Sequence, residues 1–287
     1  MGTSNSLDRR TLLLGGIATV LPRGVPLPQA DPVAAARSLP TAHAHNDYRQ
    51  PRPLSNALAL GFTSIEVDVF PTDDGLLVGH DEDELREDRT LDSMYLAPLR
   101  RLAGTAEDPR RGPMPDGHAL TLLLDIKRHG DRALDQLLPL LRPLDPWLHR
   151  TRHGTVIDRP IRVILSGSRP VAAVTSMDDR PLALDGRIRD LGQGHPPDLY
   201  PLVSASMRPA LGTFGITGLD DEAKKRLVDL VRRTHEEGRR LRFWGHAESR
   251  AVWRSLVDAG VDLIGTDQPR SLAGWLRRHD PRCRDRA

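Results

Sequence analysis

Gly61-Phe62-Thr63-Ser64-Ile65-Glu66-Val67-Asp68-Val69-Phe70 is the stretch on which the fold turns. Side chains on a strand alternate between faces, so Ile65, Val67 and Val69 share one face and Glu66 and Asp68 the other. In a barrel, the aliphatic set packs under helices. The carboxylates then face inward near the strand's C-terminal end, where barrel active sites lie. Two ionised carboxylates side by side repel each other and lose hydration. A divalent cation removes both penalties, because hard cations prefer oxygen ligands. Read alone, the same stretch also suits a strand end with two solvated acids.

Outward from this stretch, short apolar runs alternate with amphipathic segments, the pattern of repeated βα units. Candidate strands are Thr41–His45, Phe62–Phe70, Leu120–Lys127, Ile161–Ser166, Leu182–Asp185, Leu202–Ser206, Leu241–Trp244 and Val261–Gly265. These eight runs predict an α/β chain folded as a single-domain TIM-type (β/α)8 barrel, an architecture of ~250 residues. The clearest helix is expected from Thr217-Gly218-Leu219-Asp220, a capping-box spacing, through Ala223, Leu227, Leu230 and Val231 to Gly238. Another spans Ala247–Ala259. Ala103–Gly117 reads as a surface loop, and Asp145–Arg159 as a loop or small hairpin whose His149 and His153 are solvated. The barrel is assigned to residues 41–278, after an N-terminal segment of residues 1–40 and before a charged tail of residues 279–287 that includes Cys283.

Within the N-terminal segment, Arg9-Arg10 directly precedes a short apolar run ending near Leu21. That order is similar to a twin-arginine export signal, and the expectation is an exported protein, extracellular or in the cell envelope. Without a signal there, the protein is cytoplasmic. The run is too short to span a bilayer, which needs ~20 residues, so no stable membrane anchor is expected. A Pro/Ala-rich linker follows from Pro22 to Pro40, with cleavage candidates at Ala30 and Val33–Ala36.

The chain has 287 residues, 38% hydrophobic and 28% charged, which fits a folded globular domain. A formal net charge of +2, with Arg scattered among acids, argues against nucleic acid as a partner. The single Cys excludes an intrachain disulfide and a thiolate metal cluster.

Asp73-Asp74-Gly75 is a hairpin signal that returns the chain as Leu76-Leu77-Val78-Gly79-His80-Asp81. It brings His80 back over the barrel mouth. Ala42-His43-Ala44-His45-Asn46-Asp47-Tyr48 places His45 at the same rim, and Leu122-Leu123-Leu124-Asp125-Ile126-Lys127 adds an acid and a base on one face. Three carboxylates, two histidines and a lysine then stand at strand ends, and the solvated-acid reading gives way. A cation and a lysine neutralise a phosphate, one histidine takes a proton and the other gives one.

The order His-Asn, then Gly-Phe-Thr-Ser-Ile-Glu-Val-Asp-Val, then Thr-Asp-Asp-Gly-Leu-Leu-Val-Gly-His-Asp resembles the glycerophosphodiester phosphodiesterase signature. The His-Asn-Asp-Tyr form, Thr90–Leu96 and Ser166-Gly167-Ser168-Arg169-Pro170 resemble the altered inheritance of mitochondria protein 6 branch most. Arg242-Phe243-Trp244 and Gly265-Thr266-Asp267 fit its last two strands. The resemblance covers about Thr41 to Pro269. It implies His45 and His80 as the acid/base pair, Glu66, Asp68 and Asp125 as ligands to one divalent cation, magnesium or calcium, and Lys127 as a phosphate contact. The expected substrate is a small-molecule or lipid phosphodiester, attacked by its own neighbouring hydroxyl through a cyclic phosphate.

Two departures stand out. The third ligand, commonly Glu in the family, is Asp125 here. Asn46 replaces the Arg that usually follows the first histidine, and Arg169 is a candidate substitute for its phosphate contact. Trp244 is expected either to line the pocket against an apolar part of the substrate or to sit in the core. His43 is given a supporting or packing role, and Asp185, Arg187 and Asp267 are further pocket candidates. The competing functions are a phosphoinositide phospholipase C or sphingomyelinase D-like lipase, a non-catalytic phosphate-ligand-binding barrel, and an amidohydrolase-like metal hydrolase built on His43-Ala44-His45.

Overall fold

The computed structural model describes residues 37–105, 108–215 and 218–283. The twin-arginine stretch, most of the linker, Thr217 and the last four residues of the expected tail lie outside the described residues. The strands in chain order are β1 (Leu39–Ala44), β2 (Phe62–Thr72), β3 (Gly75–Val78), β4 (Leu120–Ile126), β5 (Arg150–Arg152), β6 (Thr155–Ile157), β7 (Ile161–Gly167), β8 (Asp179–Arg180), β9 (Ala183–Gly186), β10 (Leu202–Ser206), β11 (Arg240–Trp244) and β12 (Leu263–Thr266). The helices are α1 (Ser55–Ala59), α2 (Ala97–Ala103), α3 (Gly130–Leu141), α4 (Val171–Thr175), α5 (Met207–Leu211), α6 (Asp221–Glu236), α7 (Arg250–Asp258) and α8 (Pro269–His279).

Among the described residues, the parallel strands run in the order β1, β12, β11, β10, β9, β7, β4, β2, and β2 pairs back onto β1. The sheet is therefore closed. It is the expected (β/α)8 barrel, with β3 added to β2 as the antiparallel arm of the predicted hairpin. Asp68 lies opposite Asp125 across the β2–β4 pair, and His43 opposite Ser64 across β1–β2.

Alternation along each strand divides the barrel into layers. Outward residues such as Ile65, Val67, Leu122, Leu124 and Leu165 are buried under the helices. Leu123, Ile164, Ala183, Leu202 and Leu263 form a separate apolar cluster inside the barrel. Two residues further along four of those strands come Asp125, Ser166, Asp185 and Ser204. The interior thus changes from an apolar floor to a polar mouth within one side-chain step.

Several local expectations shift. β1 begins at Leu39, inside the expected linker. The cap of α6 is Asp220, whose Oδ1 accepts the Ala223 amide at 2.7 Å, and Asp221 and Glu222 complement the helix dipole in the first turn. The 145–159 region holds the β5–β6 hairpin, extended by β8 into a small sheet beside the barrel. Cys283 is buried against Thr41 Oγ1 at 3.3 Å, and buried Asp280 accepts from the same hydroxyl at 2.7 Å, so the packed chain runs on past residue 279.

Candidate active site

The carboxylates of Glu66, Asp68 and Asp125 converge at the mouth, with one oxygen from each lying within 4.8 Å of the others. β2 and β4 set this spacing through the Asp68–Asp125 register. Gly167, at the end of β7, leaves room for the third acid. A Cβ there would stand 2.3 Å from Asp125 Oδ1, and its φ of +66° is a left-handed conformation that favours glycine.

Two side-chain cations already touch the three acids. Lys127 Nζ lies 2.8 Å from Asp68 Oδ2 and 2.6 Å from Asp125 Oδ2. Arg242, buried on β11, bonds Glu66 Oε2, which also meets His43 Nε2 at 2.9 Å. Burial opposes the charge of Glu66, but Arg242 and His43 outweigh it and hold the carboxyl well below its ordinary range. Burial, helped by Arg242, pushes the fully enclosed His43 down to about 4, so it is a neutral imidazole at pH 7. Its Nδ1 lies 2.7 Å from Ser64 Oγ and its Nε2–H donates to Glu66, which is the supporting role expected of it. Asp68 keeps a raised pKa because burial exceeds the help of Lys127 and the Tyr48 hydroxyl, which donates to it at 2.8 Å.

The histidines of the expected acid/base pair sit at the rim. His45 Nδ1 lies 2.8 Å from Asp267 Oδ1, so β12 supplies the group that orients a residue following β1. Burial works against the imidazolium, yet the Asp267 hydrogen bond and the Glu66 charge prevail and raise the His45 pKa. His80 is carried by the turn after β3, where the Gly79 amide lies 3.4 Å from the Asp68 carbonyl. Its Nδ1 meets Asp81 Oδ2 at 2.8 Å.

The other expected residues divide. Asn46 adopts a left-handed φ of 47°, tolerable for Asn, and its Oδ1 accepts from Tyr48 at 3.1 Å. Arg169 is committed to the Asp185 carbonyl and stands 3.9 Å from Asp190, supporting the end of β9. Trp244 ends β11 with 48% of its surface exposed, so the core alternative is set aside. Arg187 pairs with buried Asp185 at 2.7 Å. Asp185 Oδ1, Ser204 Oγ and Arg242 Nε are buried without partners among the described residues. The pairing of Arg242 with Glu66 is not evident from the sequence, whose one signal is an Arg on the inward face between Leu241 and Phe243. The hydrogen bond of Tyr48 to Asp68 is not evident there either.

Asp47 anchors the loop after His45. Its Oδ2 accepts the Leu54 amide at 2.6 Å and the Tyr95 hydroxyl at 3.0 Å, while Oδ1 is buried with no partner among the described residues. Burial raises this carboxyl from 3.8 to about 6 despite both hydrogen bonds. A folded pKa above the unfolded one means a contribution present below the unfolded pKa and lost as pH rises through the folded value. Wild type is therefore expected to lose about 2–3 kcal/mol relative to Asp47→Asn between pH 4 and 7. Thermal melts across that range check this, and parallel pH profiles of the two proteins would contradict it.

The model of the AIM6-like phosphodiesterase domain matches residues 35–182, more than half of the chain. The chain belongs to this family. The matched part of the AIM6-like domain contains His45, Glu66, Asp68, His80, Asp125 and Lys127. The altered inheritance of mitochondria protein 6 homolog of Arthroderma benhamiae is 28% identical over 261 residues, covering 82% of this chain and 83% of the relative. The protein of that name from Eremothecium gossypii is 27% identical over 265 residues, covering 80% of this chain and 67% of the relative. The Lachancea thermotolerans relative is 26% identical, and the chain spans 64% of its length. Among solved structures, a glycerophosphodiester phosphodiesterase from Agrobacterium tumefaciens shares the fold, with a TM-score of 0.50 and 15% identity over 83% of this chain and 99% of that one. No helix among the described residues is long and apolar enough to cross a membrane.

Proposed function

We propose that this AIM6-like barrel is a metal-dependent phosphoric diester hydrolase acting on a glycerophosphodiester or lipid-like phosphodiester. The observation that carries the reading is the convergence of Glu66, Asp68 and Asp125 within 4.8 Å at the barrel mouth. The donor set fits a hard divalent cation, magnesium or calcium. It is all oxygen, and Lys127 and Arg242 leave one of its three negative charges uncompensated. When bound, such an ion supplies positive charge against the phosphate oxygens.

The chain's own groups do the rest. Lys127, 23% exposed at the mouth, remains available to a phosphate oxygen. His45 donates Nδ1–H to Asp267, which leaves Nε2 as the proton acceptor. His80, held in the same way by Asp81, carries the second proton. One histidine takes a proton from the attacking hydroxyl, and the other gives one to the leaving oxygen. A hydroxyl within the substrate gains from proximity, which favours a cyclic phosphate as first product. Trp244 offers an exposed aromatic face to an apolar part of the substrate, a feature that also suits a phospholipase-type lipid. The amidohydrolase-like alternative loses support because His43 is spent on Ser64 and Glu66.

The test is hydrolysis of a chromogenic phosphodiester by the full chain, after chelation and again after addition of magnesium or calcium. Activity that disappears with chelator and returns with the ion supports the reading, and activity indifferent to both contradicts it. Gly167→Ala sharpens the test, since the added methyl collides with Asp125 Oδ1 and with the Ile126 carbonyl beside it on β4. It is expected to weaken cation affinity by about 10–100-fold, as measured by calorimetry. Wild-type affinity in that variant would contradict the placement of Asp125.

A further inference from the structure

A second charged cavity lies below the apolar floor, at the end of the barrel away from the carboxylates. Its volume is about 250 Å³, and Arg162, Arg240, Arg180 and Arg150 line it, with Asp198 as the acid in its wall. Arg162 and Arg240 come two residues before Ile164 and Arg242, so both project inward from β7 and β11. Ile164 and Ala183, which belong to the floor, close the cavity from above.

The cations here are unequally compensated. Arg180 is paired with Asp198, and Arg150 with Asp145 at 3.3 Å and Asp179 at 2.8 Å. Arg162 shares Asp158 with His149, at 3.1 Å and 2.9 Å, and its Nε is buried with no partner among the described residues. Arg240 forms no ion pair among the described residues, and its hydrogen bond goes to the Pro40 carbonyl at 3.1 Å. Asp262, the acid whose charge favours the Arg240 cation, is engaged by His235 at 2.8 Å and the Leu241 amide at 2.7 Å. Burial, with smaller contributions from Arg162 and Arg282, lowers the pKa of Arg240, and Arg162 and Arg240 line the same cavity. A guanidinium without an acid partner, set in a cavity beside a second one, is favoured by an anion that joins them. Guanidinium forks match tetrahedral oxyanions in both charge and geometry.

We propose that Arg162 and Arg240 bind a small oxyanion of the phosphate class in this cavity, separate from the barrel mouth. His149 and Thr151 also line the cavity, but His149 is held by Asp158 at 2.9 Å and the Thr151 hydroxyl donates to Asp198 at 2.7 Å, so the role assigned is binding without turnover. The anion is either free inorganic phosphate or the phosphate end of a small phosphomonoester.

Calorimetric titration of the full chain with inorganic phosphate tests this, with glycerol phosphate as a second arm and chloride as the control. Wild type is expected to take up phosphate, and Arg240→Gln and Arg162→Gln to bind it at least tenfold more weakly. Lys127→Ala, altered at the mouth, should retain the binding. Tighter binding of glycerol phosphate than of inorganic phosphate identifies the monoester, and the reverse identifies the free ion. The proposal is overturned if wild type takes up no phosphate, or if Arg162→Gln binds as wild type does. It is also overturned if Lys127→Ala abolishes the binding. Should Arg240→Gln fail to fold, Arg162→Gln decides, because that side chain is 36% exposed.

Discussion

His45→Ala is expected to lower diester turnover by about 10²–10⁴-fold, the usual contribution of a positioned acid or base, with the thermal midpoint close to that of wild type. The side chain is 33% exposed and its partner Asp267 is 60% exposed, so the substitution buries no unsatisfied group. His43→Ala is the contrasting case. It empties a fully buried position and removes a hydrogen bond from Glu66, so it should destabilise the fold as well as the site. Asp267→Asn separates orientation from presence. It removes a group that raises the His45 pKa, so the limb of the pH–rate profile set by His45 should move to lower pH. Full turnover in His45→Ala, or an unmoved limb in Asp267→Asn, would remove His45 from the chemistry.

The second large effect concerns the buried Glu66–Arg242 pair. Glu66→Gln leaves the Arg242 guanidinium enclosed without a counter-charge and is expected to destabilise the fold by about 3–5 kcal/mol. It also takes one negative charge from the proposed cation site, so the concentration of magnesium or calcium needed for activity should rise steeply. Arg242→Met uncovers the opposite charge. Its melting temperature should respond to added divalent cation more strongly than that of wild type. The double variant Glu66→Gln/Arg242→Met should recover much of the lost stability, since an apolar or neutral replacement of a whole buried pair is often tolerated. Melting curves of the four proteins with and without cation check this. Two single variants as stable as wild type would contradict it.

The barrel was legible because alternation is a local property. Ile65, Val67 and Val69 against Glu66 and Asp68 specify a strand with one face under helices and one in the mouth. Asp73-Asp74-Gly75 likewise predicts the β2–β3 hairpin that carries His80. What escaped the sequence depends on distant partners. Arg242 meets Glu66 across 176 residues, and in an Arg-rich chain one more Arg in a strand carries little signal. Tyr48 is a single hydroxyl whose reach to Asp68 follows from the left-handed turn at Asn46. Arg169 sits in a recognisable loop, yet its direction toward the Asp185 carbonyl comes from the packing of β7 against β9. The charged composition after residue 278 reads as a tail, but Asp280 and Cys283 are held by Thr41, which lies about 240 residues earlier.

The most direct measurement is phosphorus NMR of the full chain with a mixture of glycerophosphodiesters and lysophospholipids. It is run with magnesium or calcium, with chelator, and with His45→Ala in place of wild type. A new monoester or cyclic-phosphate resonance that requires both the cation and His45 is the expected result. Unchanged diester signals across the mixture, with the cation bound and the protein folded, would contradict a phosphodiesterase and leave a barrel that binds phosphate ligands without turning them over.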